Sequence, residues 1–280
     1  MAYKRKSGSS GWVPAVILVA CILAAGGYMA WRGMHPNTVS PAPASAAAAS
    51  STVKPLAEAI THHPIAQAEV PASASTAPLP ALDASDAGIG SALLALGGDR
   101  LKELLLPRQI VNRVVTTVDA LPRHELGSAS ILPLRAPRGA FMASETQSIL
   151  TADARNADRY APYMAIMRRV DSQALVAWYV HDYPLFQQAY RELGYPRGYF
   201  NDRLIAAIDD MLAAPSPSQP PALQLVNGHY LYVDPALESL SVGQKLMLRL
   251  GPANEVEFKA KLRVIRSLLT ARPLSAMRAK

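Results

Sequence analysis

The chain has 280 residues, half of them apolar, and 28 Lys and Arg against 21 Asp and Glu give a formal net charge of +7. A single cysteine, Cys21, excludes an internal disulfide, so any exported part must hold itself together by burial. Eight of the cations but only two of the anions fall outside residues 81–270, which leaves that stretch at +1 and excludes a strongly basic, nucleic-acid-binding head.

Residues 1–11 form a short basic amino terminus with Lys4, Arg5 and Lys6. Residues 12–31 read WVPAVILVACILAAGGYMAW without a charge. At about 1.5 Å per residue this run matches a hydrocarbon core of about 30 Å, and Trp12, Tyr28 and Trp31 stand at its ends as headgroup-level anchors. The cations before it predict a single inner-membrane span with a cytoplasmic amino terminus and everything after it exported. Two alternatives stay open. Ala24, Ala25 and Gly26 suit a cleaved secretory signal, although the apolar run continues past them. Leu18-Val19-Ala20-Cys21 resembles a lipobox, although Ile22-Leu23-Ala24-Ala25 stays apolar where lipoproteins turn polar.

Residues 32–80 are dominated by Ala, Pro, Ser and Thr, as in PAPASAAAASST and PASASTAPLPAL. Such a stretch has too little bulky apolar surface to offset its ordering entropy, so a disordered linker is expected. Within it KPLAEAITHH is a candidate for a transient helical turn or a docking segment. Residues 81–270 are then one domain, and 271–280 a basic tail.

In the domain apolar residues recur at three- and four-residue spacing, which predicts a mainly α fold of several helices. Asp83 or Ser85 caps IGSALLALGG, which Gly97-Gly98 stops, and Asp99 opens LKELLL. Pro107 starts QIVNRVVTTVDAL, with Ile110, Val114 and Val118 beside Val111 and Val115 on one face. Three prolines predict an irregular loop from Pro122 to Phe141, after which helix resumes near Glu145 and at Arg155 to Tyr160. Pro162 begins YMAIMRRV. Asp171 caps a longer helix that Pro184 should kink or break and Gly194 closes. Asn201 caps DRLIAAIDDMLAA. LQLVNGHYLYV carries the turn signal Asn227-Gly228 and predicts one small β-hairpin at most. Short helices follow through ALESL and VGQKLMLRL, and the last runs through ANEVEFKAKLRVIRSLL. There Phe258, Leu262, Ile265 and Leu269 form a stripe, and Glu255–Lys259 and Glu257–Lys261 mark a solvated face.

Three constellations bear on chemistry. Tyr179, Tyr183, Phe186 and Tyr190 share a helical stripe, read as core. His181-Asp182 are neighbours about 100° apart on a helix, a geometry that rules out an internal acid–base couple, and no GxSxG nucleophile elbow accompanies them. The segment LGYPRGYFNDRL puts Tyr195, Tyr199, Asn201, Asp202 and Arg203 around a tight turn and a helix start, and this is the surface expected to bind something. No CxxC, HExxH or calcium-loop pattern occurs, so no metal, no cofactor and no catalytic residue is assigned.

YPLFQQAYRELGYPRGYFNDRLIAAIDDMLAAP, DPALESLSVGQKLMLRLGPAN and KAKLRVIRSLL together resemble the bacterial family called domain of unknown function 3014, and LLALGGDRLKELLLP and VNRVVTTVDALP extend the likeness over Leu79 to Leu269. The resemblance implies a Gram-negative source, one amino-terminal span, a linker and a periplasmic head, and supplies no catalytic residues. The expected function is a non-catalytic envelope interaction or scaffold module that meets a protein or cell-wall partner. The alternative is a periplasmic hydrolase or cell-wall-modifying enzyme using His181 or carboxylates near Asp202.

Overall fold

Helix α3 (Ile110–Ala120) lies at the centre of the computed structural model, which describes residues 62–68 and 77–270. Its predicted stripe is buried in full, from Ile110 and Val111 through Val114 and Val115 to Val118. Against it pack α5 (Ser172–Glu192) and α6 (Phe200–Leu212); α9 (Pro252–Thr270) packs on both of these, and α8 (Val242–Leu250) lies against α6 and α9. Helices α1 (Asp86–Gly97), α2 (Asp99–Leu104) and α4 (Ala161–Arg169) close one flank, and α7 (Pro235–Glu238) is a single turn. The stripe Phe258, Leu262, Ile265 and Leu269 of α9 is buried as its spacing predicts.

Helix starts follow local chemistry in some places and distant partners in others. Asp171 accepts the Ala174 N–H at 2.8 Å, and Ser241 with Gln244 forms a capping box at α8. Helix α3 departs from expectation. It begins at Ile110, not after Pro107, and Gln109 sits in the left-handed region at φ 54°. Asp86 of α1 receives the Gln109 and Ile110 N–H groups at 2.7 and 2.8 Å, so a carboxylate on another helix satisfies the free donors. Pro184 does not end α5, which continues to Glu192. Burial of Tyr179 before it and of Leu185 and Phe186 after it outweighs one lost backbone bond.

Two hairpins stand where one at most was expected. Strands β3 (Leu223–Val226) and β4 (His229–Tyr232) turn at Asn227-Gly228, both with positive φ. Strands β1 (Ala143–Thr146) and β2 (Ile149–Ala152), in the region expected to resume helix near Glu145, turn at Gln147 and Ser148 with φ of 51° and 61°. That turn uses the same backbone type without the glycine that would announce it. An antiparallel bridge between Thr151 and Ala222 joins the hairpins.

The face of α9 expected to be solvated is partly internal. Glu255 and Lys259 are only 4% and 7% exposed and pair at 2.6 Å. Lys259 also donates to the Ala214 carbonyl, and the Ser216 hydroxyl donates to Glu255. The chain after α6 crosses over this pair and shields it. Glu257 reaches Arg168 through two bonds of 2.7 Å, while Lys261 donates to the Val170 carbonyl.

The expected span at residues 12–31 and the basic tail lie outside the described residues. Among the described residues no helix is long and apolar enough to cross a membrane.

Helix α8 is sewn to the end of α3: Val242 and Gly243 donate to the Arg123 and Leu121 carbonyls at 2.7 and 2.8 Å. A methyl group on Gly243 would lie 2.8 Å from Met211 Cγ and 3.3 Å from the Leu121 carbonyl. Gly243→Ala should therefore cost about 1–3 kcal/mol in urea unfolding. Gly88→Ala, in a helix where nothing lies within 4 Å, should raise stability by about 0.5–1 kcal/mol.

Candidate functional site

The surface expected at LGYPRGYFNDRL divides into two arrangements. The first is a polar junction at Asp119, only 4% exposed at the end of α3. Arg203 brings its Nε to 2.9 Å from Asp119 Oδ1 and donates to the Asp119 backbone carbonyl, while Arg123 binds Oδ2. The Tyr195 hydroxyl accepts from Arg123 at 2.7 Å, and its ring stacks on Tyr190 with centroids 4.6 Å apart. Arg203 thus pairs across the fold with Asp119.

The second arrangement is a clasp around the chain's own residues 62–68. Asp202 accepts the His63 N–H at 2.7 Å and lies 2.8 Å from His62 Nδ1. Asn201 donates its amide to the His63 carbonyl at 2.8 Å, and the His62 ring lies 4.1 Å from that of Tyr199. Asn201 is fully buried inside α6, so it does not cap the helix. The amide of Gln187 from α5 does the organising instead, accepting from Phe200 N–H at 3.0 Å and donating to the Gly198 carbonyl at 2.8 Å. Ile65, Ala68 and Leu79 pack against the core, so parts of the stretch expected to stay unfolded are held on the domain. Two bonds to the His63 backbone, one contact to the His62 ring and three apolar side chains supply what its composition lacks.

The aromatic stripe is core. Tyr179 and Phe186 are fully buried, Tyr190 nearly so, and Tyr183 lies at the margin with its hydroxyl donating to Gln187 at 2.6 Å. The expectation for His181-Asp182 needs correction: the His181 Nδ1 comes within 3.3 Å of the Asp182 Oδ2, since side chains on neighbouring helical positions can still reach one another although their Cα–Cβ bonds diverge. His181 Nε2 meets the Ala77 carbonyl at 2.9 Å, which ties residue 77 to α5. Burial pushes the Asp182 carboxyl above the usual carboxylate range, with His181 and Trp178 partly opposing the rise. His181 and Asp202 make their contacts with different parts of the chain.

Sequence reading passed over a cleft of about 630 Å³ between the joined hairpins and the helices. Phe141, Tyr160, Tyr230 and Tyr232 give it aromatic walls, and Pro217, Pro220 and Pro221 edge it. The rings of Phe141 and Tyr230 lie 5.1 Å apart. Exposed apolar side chains gather on the hairpins, with Ile149, Leu225, Val226, Tyr230 and Val233 among them. Asp153 and Glu255 line the cleft as already paired carboxylates, the first with Arg155 and the second with Lys259. Arg159 donates to the Arg138 and Gly139 carbonyls, while Arg249 meets no carboxylate among the described residues. Only the aromatic alternation of HYLY hinted at such a wall. The opposite wall arrives through the unannounced β1–β2 turn. No group of three or more His, Cys, Asp or Glu side chains among the described residues is placed to hold a metal ion.

Residues 110–266 match the family described as Protein of unknown function (DUF3014). The chain belongs to this family. The match opens at the first residue of α3 and closes inside α9, narrower than the resemblance from Leu79 to Leu269. The DUF3014 region therefore contains the whole cleft, the Asp119 junction and Asn201 with Asp202, but excludes the clasped residues 62–68. No curated protein and no solved structure matches the chain.

Two measurements test this geometry. Asp202→Ala removes two bonds to the clasped segment, about 1–2 kcal/mol of local stability. Proteinase K should then cut within residues 62–68 about 5–30-fold faster, with the urea midpoint of the domain nearly unchanged. For Asp182 the folded carboxyl is raised, so folding favours its protonated form. Stability is lost as pH climbs from the ordinary carboxylate value through the raised one. Asp182→Asn should remove that loss, so its urea midpoint should gain on the parent's as pH rises above the ordinary carboxylate value of about 4.

Proposed function

We propose that this DUF3014 chain is a non-catalytic binding module of the bacterial envelope. The uncharged run at residues 12–31 anchors it in the inner membrane, Lys4, Arg5 and Lys6 keep its amino terminus in the cytoplasm, and the helical domain works in the periplasm on a protein or cell-wall partner. The observation that carries the binding reading is the aromatic-walled cleft between the hairpins and the helices.

Its ionisable groups are arranged for recognition. Arg155 holds the Asp153 carboxyl down at about 2 through its side chain and its N–H, so this carboxylate stays charged and does not serve as a general acid. Burial pushes the Tyr160 and Tyr232 phenols above their ordinary range, which leaves them as protonated donors and apolar walls. The hydrolase alternative draws no support from its own residues: His181 is engaged by Ala77 and Asp182, and Asp202 by the clasp.

A photo-crosslinking residue placed at Tyr230 in living cells should yield a reproducible adduct, while the same residue at exposed Val264 on α9 should not. Equal labelling from both positions, or none from Tyr230, overturns the binding reading. A reporter enzyme fused after Lys280 and active only outside the cytoplasm should be active. Activity confined to a cytoplasmic reporter overturns the location.

A further inference from the structure

Five arginines of the described residues are half-buried, and four of them are satisfied. Arg113 donates to the Arg108 and Leu132 carbonyls, Arg159 to those of Arg138 and Gly139, Arg203 pairs with Asp119, and Arg266 pairs with Asp209. Arg249 is the exception. It lines the cleft near the Tyr160 and Tyr232 phenols, which feel its charge, and it has neither a hydrogen bond nor an ion pair within the described protein. A guanidinium kept partly out of water costs free energy unless an acceptor meets it.

The surroundings narrow the acceptor. The lining's other arginine without a carboxylate, Arg159, is held by the Arg138 and Gly139 carbonyls, so one guanidinium is left to meet a ligand. It suits a monoanion that offers two parallel oxygens, which is a carboxylate, whereas a dianionic phosphate calls for more cations in reach. The walls call for an apolar body attached to that carboxylate. Phe141, Tyr230 and Pro220 form a rigid, ring-lined trough, the kind of surface that holds an extended chain with side chains dropping into it at intervals. The cleft is open on its solvent side, so a lone hydrocarbon tail would remain half wet, while an extended peptide turns polar backbone outward.

We infer that the cleft binds the carboxyl-terminal end of an extended apolar peptide, with the terminal carboxylate on Arg249 and apolar side chains against Phe141, Tyr230 and Pro220. This rests on the reading of the domain as a binding module and names its ligand. The terminal carboxylate distinguishes such a peptide end from the interior of any chain, so Arg249 gives the cleft polarity as well as affinity.

The test uses the purified full-length chain and short fluorescent peptides with three apolar residues at the carboxyl end, each made as the free acid and as the amide. Free acids should bind in anisotropy titrations, and the amides should bind roughly tenfold to a hundredfold more weakly, as expected for a lost charge-assisted pair. Arg249→Gln, with circular dichroism and urea midpoint matching the parent, should abolish the difference between acid and amide, and Arg249→Lys should retain part of it. The acid–amide comparison on the unaltered chain needs no variant, so a misfolded substitution leaves the test intact. Equal affinity for acid and amide, no binding by any free acid, or stronger binding of octanoate or inorganic phosphate than of peptide each overturns the inference. If the peptides fail while Tyr230 still crosslinks in cells, the ligand class is wrong and the binding reading stands; if both fail, both fall.

Discussion

The α5–α6 hairpin depends on a buried aromatic stack locked by one amide. Phe186 and Phe200 lie nearly parallel with centroids 5.8 Å apart, and Tyr179 and Tyr190 meet them at 5.5 and 5.7 Å. Rings of this size contribute the largest apolar areas in a core of this kind, and their offset geometry adds to the burial itself. Gln187 stands among them and satisfies the Gly198 carbonyl and the Phe200 N–H, two groups that the turn would otherwise leave unpaired in an apolar setting. Removing the amide would loosen the turn, and with it the start of α6.

Much else is referred to that start. Asn201 and Asp202 grip the segment 62–68, while Arg203, on the next position, closes the Asp119 junction back to α3. Three consecutive side chains thus serve two separate tasks. A helix advances about 100° per residue, so adjacent positions reach different neighbours without moving the backbone. The four free N–H groups of a helix start need partners, and here Gln187 for α6 and Asp86 for α3 supply them from elsewhere in the chain.

That habit explains what could be read from the sequence and what could not. The stripes of α3 and α9 follow the 3.6-residue period and were legible residue by residue, as were Asp171 and Ser241, whose caps act within three positions. Asn201 looked like a cap because it stands at a helix start, yet its fully buried amide serves a carbonyl 138 residues away. The β1–β2 hairpin escaped because Gln147 and Ser148 adopt positive φ without glycine, and its pairing with the β3–β4 hairpin at Thr151 and Ala222 has no local signal at all. LGYPRGYFNDRL was expected to bind something, and in the structure its Asn201 and Asp202 hold the chain's own His62 and His63. The cleft draws on residues from 141 to 255, so no window of sequence displays it.

The clasp and the cleft share one mechanical frame. Helix α6 holds the clasp at Asn201 and Asp202. Two turns on, about 12 Å along its axis, it holds α8 through Asp210 and Met211: the Ser241 hydroxyl donates to Asp210 at 2.5 Å, and Gly243 allows the backbones to approach over Met211. Helix α8 in turn carries Arg249 into the cleft wall. The distance from the gripped segment to the unpaired guanidinium is therefore set by two packed helices and not by loops, which hold such spacings poorly. Burial pushes the Asp210 carboxyl above its usual range even with Ser241 donating to it, so this contact is held against an electrostatic cost. A joint kept at that cost between two helices fits a role in setting position, since well-packed apolar groups would serve plain stability better.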